Sequence, residues 1–330
     1  MPFDLPEFAL GETDFTHPLI AWGTARFVAF LLVFCRVAGL MTVGPVFGTP
    51  VVPPNVRVLL ALATALVITP ALSGRSAETF HGLDRDGDDR LVADELPGPV
   101  LDSLASRGQS VPPGGMSMAD FASPAPLPRT PASLARMSLG EFSIGFALGL
   151  GVLSVLAGLR LAGELIDQQI GTALGEVFNP MLGGSASTAG QLLGMLGTAV
   201  LLTLPGVDGH LRLFGTLLDT FRTMPPGAGW VSGEAWRTLA ELAGAGMGLG
   251  LRVAAPTLAV MSLMSLTVGF LGRTVPQINV LSVGFPTRAA AGLFVLALTL
   301  SPATDVLAEV LSASLTALHE TLVGLPDVRA

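Results

Sequence analysis

The sequence predicts an all-α membrane protein, and three features carry that prediction. Half of the 330 residues are hydrophobic and only 13% are charged, against about 25% charged in ordinary soluble domains. Apolar residues gather in runs at 19–43, 58–72, 142–165, 189–204, 239–271 and 289–315. None of these runs alternates apolar with polar residues, which argues for helices rather than the strands of a membrane barrel. Forty glycines in so apolar a chain suit helices that pack closely through small side chains.

A spanning helix needs roughly 17–25 apolar residues. The runs at 19–43 and 142–165 satisfy that, while 58–72 is short. The run at 239–271 is too long for one straight span and contains Pro256, which predicts a kink or a tilted hairpin arm. Several runs carry charge: Arg26 and Arg36 in the first, Arg160 and Glu164 at the end of the third, Arg252 within the fifth. A charge facing hydrocarbon costs about 2.5–3.5 kcal/mol even on lenient scales. Arg26 and Arg160 lie close enough to helix ends to snorkel. Arg36 and Arg252 are deeper, and a buried partner or an aqueous lumen is expected for both.

The connections, GPVFGTPVVPPN, NPMLGGSAS, LPGVDGH, TMPPGAG, GRTVPQIN and VGFPTR, are punctuated by Pro and Gly. Irregular backbone at membrane depth is tolerated only when buried in protein or lining a cavity. So many breaks predict an obligate membrane complex. Net charge is −8 and no basic stripe with interleaved aromatics occurs, so nucleic acid is not an expected partner. The lone Cys35 excludes an intrachain disulfide and reads as a packing residue. The N-terminal stretch MPFDLPEFALGETDFTHP is acidic and lacks the positive region of a signal peptide, so the first apolar run is the expected insertion signal. No HExxH, Walker loop, GxSxG or carboxylate pair at catalytic spacing is present, and no enzyme is expected.

Four stretches carry a family resemblance. FCRVAGLMTVGPVFGTPVVPPNVRVLLALATALVITP, GEFSIGFALGLGVLSVLAGLRLAGELIDQQIGTALGEVFNP, GVDGHLRLFGTLLDTFRTMPPG and APTLAVMSLMSLTVGFLGRTVPQINVLSVGFPTRAAAGLFVLAL occur in this order. Together they resemble the flagellar biosynthetic protein FliR family, which includes export-apparatus subunits of injectisomes. The resemblance covers about 19–74 and 138–315. It implies FliP-like helical hairpins followed by a FliQ-like hairpin at about 239–315, stacked helically rather than as ordinary spans. It also implies a structural pore subunit of a type III export gate in the bacterial inner membrane, at the base of a flagellum or an injectisome. Expected partners are FliP- and FliQ-like gate subunits, an FlhB-like export switch protein and unfolded export substrates, with no cofactor for export itself.

On the same basis the stretch QIGTALGEVFNP corresponds to the plug that closes the resting pore, with Gln169, Gly171, Leu174, Val177, Phe178 and Pro180 as its positions. Glu176 departs from the apolar character that a plug needs. By residue chemistry alone the stretch also reads as a helix–loop linker with Phe178 in the core. The stretch 273–288 resembles the hairpin tip near the cytoplasmic mouth, through Pro276, Gln277, Asn279, Gly284, Phe285 and Pro286. Asp208, Gly209 and His210 match the turn after the fourth run, where a lone His is expected to be structural.

The region 75–136 departs from the family and divides the chain into 1–74, an acidic insert, and 137–330. The insert ends in a Pro-rich linker, ASPAPLPRTPAS. Within it DRDGDDRLVADE fits an EF-hand loop, whose alternating oxygen ligands wrap a calcium ion. Asp84, Asp86 and Asp88 take positions 1, 3 and 5, the Arg90 carbonyl position 7, Leu91 the apolar position 8, and Glu95 the bidentate position 12. Asp89 replaces the usual Gly at position 6, which demands a positive φ that Asp tolerates better than most residues. Val92 at position 9 leaves one vertex to water. These departures predict weak binding, with Kd roughly 10⁻⁴–10⁻³ M; the alternative is a solvated acidic loop. The stretch MSMADF, with Met116 at position 8 of a second, carboxylate-poor loop, is a candidate partner hand. Arginine counting would put the insert in the cytoplasm, but that rule is weak for folded loops. The FliP-like relationship implies the periplasmic side instead. A different function class stays open: a stand-alone calcium-regulated transporter that uses its intramembrane Arg residues and Glu164 as a substrate path.

Overall fold

Proline marks where several helices start. In the computed structural model the helices α1 (Pro18–Val43), α2 (Pro54–Leu83) and α3 (Pro131–Ile170) all open on Pro. There its missing N–H would be unsatisfied anyway and its φ is preset for a helix. Four more follow: α4 (Thr188–Thr203), α5 (Gly209–Thr223), α6 (Gly233–Thr274) and α7 (Val280–Val323). Two short strands, β1 (Arg90–Leu91) and β2 (Met116–Ser117), lie between α2 and α3. The residues described are 18–45, 47–48, 52–84, 86–96, 111–112, 114–117, 128, 130–171, 187–224, 226–227, 231, 233–274 and 280–323.

The protein is an all-α membrane protein, as the apolar runs predict. Five helical stretches are long and apolar enough to cross a bilayer: Gly23–Val43, Pro54–Leu72, Pro131–Ile170, Gly233–Thr274 and Pro286–Val323. Helix α6 runs through Pro256 as one element. Helix α7 contains Pro302 and also Pro286, which was read as part of a connection. The stretch between the connections LPGVDGH and TMPPGAG, assigned to no apolar run, forms the amphipathic helix α5, which buries Leu213, Leu217 and Phe221. Their i, i+4, i+8 spacing was the available signal.

The chain forms two compact units. The first comprises residues 1–43, 50–147 and 217–231; the second comprises 44–49, 148–216 and 232–330. In the first unit α1 packs on α2. A Cβ on Gly39 would overlap the Phe142 carbonyl, and one on Gly145 would overlap the Arg36 carbonyl. The backbones of α1 and α3 therefore touch, as small-residue helix packing in membranes allows. In the second unit α7 packs on α6 and α4, and Gly158 of α3 meets Gly246 of α6 backbone to backbone.

Candidate functional site

The contact between α1 and α3 sets up the most polar buried junction described. Arg36, fully buried, donates through Nε to Glu141 Oε2 at 2.6 Å, and Glu141 is equally buried. Its Nη1 donates to Thr220 Oγ1 at 3.0 Å and its Nη2 to the Met224 carbonyl at 2.8 Å. Glu141 Oε1 accepts the Gly227 N–H at 2.7 Å. The guanidinium also lies over the Phe221 ring, 4.1 Å from its centroid. The charge expected to need a partner has one, and each nitrogen of its fork has an acceptor. This matters because an unpaired buried charge is far more costly than a paired one. Arg252 behaves differently and stands exposed on α6. Arg160 keeps an exposed head while its stem covers Gly194, where a Cβ would meet Arg160 Cγ at 3.0 Å, the geometry of a snorkelling side chain.

The acidic loop begins directly where α2 ends at Leu83, so this helix enters position 1 without a linker. Ligand oxygens of Asp84, Asp86 and Asp88 lie within 4.8 Å of one another. Asp84 accepts the N–H groups of Gly87 at 2.8 Å and Asp89 at 3.1 Å, and Asp88 accepts that of Arg90 at 2.8 Å. Asp89 has φ 57°, the left-handed conformation expected at position 6. The backbone N–H of Asp88 lowers the Asp86 pKa. Partial desolvation, the charges of Asp88 and Glu95 and a hydrogen bond with Asp84 outweigh it, leaving the Asp86 carboxyl above the ordinary carboxylate value. Glu95 lies outside the 4.8 Å group and accepts the Val92 N–H at 3.1 Å.

β1 and β2 pair antiparallel, with Leu91 opposite Met116 and Arg90 opposite Ser117. Leu91 and Met116 are both buried. Arg90 Nη1 adds a hydrogen bond to the Gly114 carbonyl at 2.8 Å. Position 8 of the acidic loop thus faces the residue assigned to position 8 of the second loop. The chain between them, 97–110, lies outside the described residues.

Of the plug positions, Gln169 is exposed on the last turn of α3 and Gly171 takes φ 87° just after it; Leu174, Val177, Phe178 and Pro180 lie outside the described residues. Of the hairpin-tip positions, Pro276, Gln277 and Asn279 also lie outside them. Gly284, Phe285 and Pro286 fall within the first turns of α7 rather than in a loop. There Gly284 packs on Val268 of α6, and Arg288 donates to Ser265 at 3.0 Å. Asp208 takes φ 39° before α5, and a Cβ on Gly209 would overlap Leu201. Two polar residues escaped the sequence reading, Glu141 and Asp167. Each is an acid just outside one end of the apolar run 142–165, within the same helix α3, which was the signal to follow.

Fold and polar junction define a multi-span helical membrane protein whose internal charge is spent on holding helices together. The chain belongs to the bacterial export proteins, family 1, whose family model matches residues 27–314. It is 34% identical over 160 residues to the flagellar biosynthetic protein FliR of Pectobacterium carotovorum subsp. carotovorum, covering 48% of this chain and 60% of that protein. It is 29% identical over 161 residues to FliR of Escherichia coli (strain K12), covering 49% of this chain and 60% of the relative. With FliR of Caulobacter vibrioides the identity is 23% over 270 residues, 82% of this chain and 87% of the relative. For the first two, then, the match spans less than two thirds of the relative's length.

Proposed function

We propose that this chain is a structural, non-enzymatic subunit of a flagellar type III export gate in the bacterial inner membrane. In this reading it lines and plugs the path by which unfolded flagellar substrates cross. The carrying observation is the family match across 27–314, joined by relatives named as flagellar proteins. FliP- and FliQ-like subunits and an FlhB-like switch protein are its partners. Exposed apolar side chains on α6 and α7, among them Leu263, Leu266, Phe270, Leu293, Phe294 and Leu298, support association within the membrane. The stretch 169–180 acts as the plug and the α6–α7 tip faces the cytoplasmic mouth.

The insert binds calcium weakly on the periplasmic side. Asp84, Asp86, Asp88, the Arg90 carbonyl and Glu95 would hold the ion, whose role is to neutralise the converging carboxylates and fix the loop. The donor set is hard oxygen throughout, and the like-charge strain on Asp86 suits a bound cation. The paired second loop supports a two-loop unit stabilised by that ion.

Co-expression with the FliP- and FliQ-like genes of the same genome tests the main reading. Co-purification at fixed stoichiometry and restored motility in a deletion strain are expected. A monodisperse monomer that transports a small solute by itself would instead favour the calcium-regulated transporter.

A further inference from the structure

Helix α6 carries a charge without an ion partner in its own chain. Arg252 lies near the middle of α6 (Gly233–Thr274), and its side chain is exposed. Among the described residues no hydrogen bond or ion pair reaches its guanidinium. An acid on the same helix would have to stand three or four positions away to face it. Those positions hold Gly248, Leu249, Ala255 and Pro256. The neighbouring turns bury Leu249, Gly250, Val253, Ala254 and Thr257, so Arg252 stands on the face turned away from that packing.

Two further features mark this face. Pro256 has no N–H, so the Arg252 carbonyl lacks the donor that would close its usual helical hydrogen bond. A side-chain cation and a backbone acceptor therefore stand at one level of the same span. Gly248 and Gly244, one and two turns before it, have open space where a Cβ would lie, and Ala255 and Ala259 beyond it are exposed. Residues this small let a second helix approach closely. Further along α6 the exposed side chains are bulkier, Leu263, Leu266 and Phe270. Charges within spans pair or face water, and the apolar neighbours of Arg252, Met247 and Leu251 among them, make a poor lining for water. A lipid phosphate can accept from the cation but offers no donor to the carbonyl.

We infer that the face of α6 around Arg252 docks a membrane helix of another export-gate subunit, one that presents an Asp or Glu carboxylate to the guanidinium. The inference rests on reading the chain as a gate subunit and adds the chemistry by which a neighbour recognises it. The planar fork suits a carboxylate held through two parallel hydrogen bonds, so Lys is an incomplete replacement.

The test co-expresses the full chain with its FliP- and FliQ-like partners and reads recovery of the complex, with the yield of folded chain measured separately. Arg252→Glu should cut recovery by roughly thirtyfold or more, the scale of unpairing a buried interfacial charge, at unchanged folded yield. Arg252→Lys should fall between the two. Each Asp and Glu in the partners' apolar helices is then replaced by Arg in the Arg252→Glu background, and one of these reversals should restore the complex. Undiminished recovery with Arg252→Glu overturns the inference, and so does a loss that no partner substitution restores. If Arg252→Glu lowers folded yield, Arg252→Gln decides: reduced recovery that is restored by neutralising one partner acid supports the inference, and wild-type recovery overturns it. An intact Arg252→Gln complex that has lost bound phospholipid, measured as phosphorus, assigns the cation to a headgroup and overturns it as well. Failure of the wild-type chain to associate with either partner removes the gate reading and the inference with it. Association that is indifferent to Arg252 removes the inference alone.

Discussion

Two clusters of charge in the first unit solve opposite problems. At the α1–α3 contact, Arg36 and Glu141 are fully buried and every polar atom of the guanidinium is matched. In the acidic loop, Asp84, Asp86 and Asp88 converge and sit largely in solvent. The first junction is complete within the chain and draws nothing from outside. The second is held together by backbone N–H groups that offset its repulsion only in part. Buried charge here reads as architecture, and exposed charge as a point of response to conditions.

Breaking the buried pair should give the largest effect. Glu141→Ala leaves Arg36 buried and uncompensated and should cost about 3–5 kcal/mol, measured as loss of folded chain in detergent thermal scans. Arg36→Met combined with Glu141→Leu should recover much of that loss, because an apolar replacement removes both desolvation costs. A double variant as unstable as Glu141→Ala would show that the hydrogen bonds to Met224 and Gly227, not the charge, hold the junction.

Calcium should act on the other cluster alone and more weakly. At about 10 mM calcium, a Kd of about 10⁻⁴–10⁻³ M corresponds to about 1.4–2.7 kcal/mol of added stability. Hydrogen exchange at the Leu91 and Met116 amides of the intact chain should report it as slower opening. Asp84→Ala should abolish that slowing and leave the amides around Arg36 unchanged. Equal protection with and without calcium would reduce the loop to a solvated acidic turn.

A smaller gain is expected from Asp89→Gly, since Asp89 holds a positive φ that Gly adopts freely. Tighter calcium binding by under about 1 kcal/mol should appear in titration of the same chain. The smallest effect is that of pH on the metal-free loop. The Asp86 carboxyl is raised above its ordinary value, so the folded loop holds its proton more tightly than the unfolded one. Stability should therefore rise as pH falls through the acidic range and be lost again above it. With calcium bound the trend should reverse, because protons and the ion compete for the same oxygens. Exchange at Leu91 across pH, with and without calcium, reads both signs.

Much of this was legible in residues alone. The apolar runs foretold the spanning helices, the depth of Arg36 foretold a partner, and Asp89 at position 6 foretold a left-handed residue. The identity of that partner was not legible, because Glu141 lies 105 residues away in sequence. Helix α5 was missed because its short amphipathic pattern sits among turn residues; the residues 280–288 that the resemblance assigns to the tip lie in α7. Pro256 and Pro286 both lie within helices.

The sequence by itself determined class, family and the spacing of carboxylates in the insert, since these depend on composition, local periodicity and spacing along one segment. Only the tertiary structure decided which charges are spent internally, which glycines bring backbones into contact and which face of α6 leaves Arg252 exposed. Those outcomes depend on contacts between residues distant in the chain, and no local pattern records which distant atoms will meet.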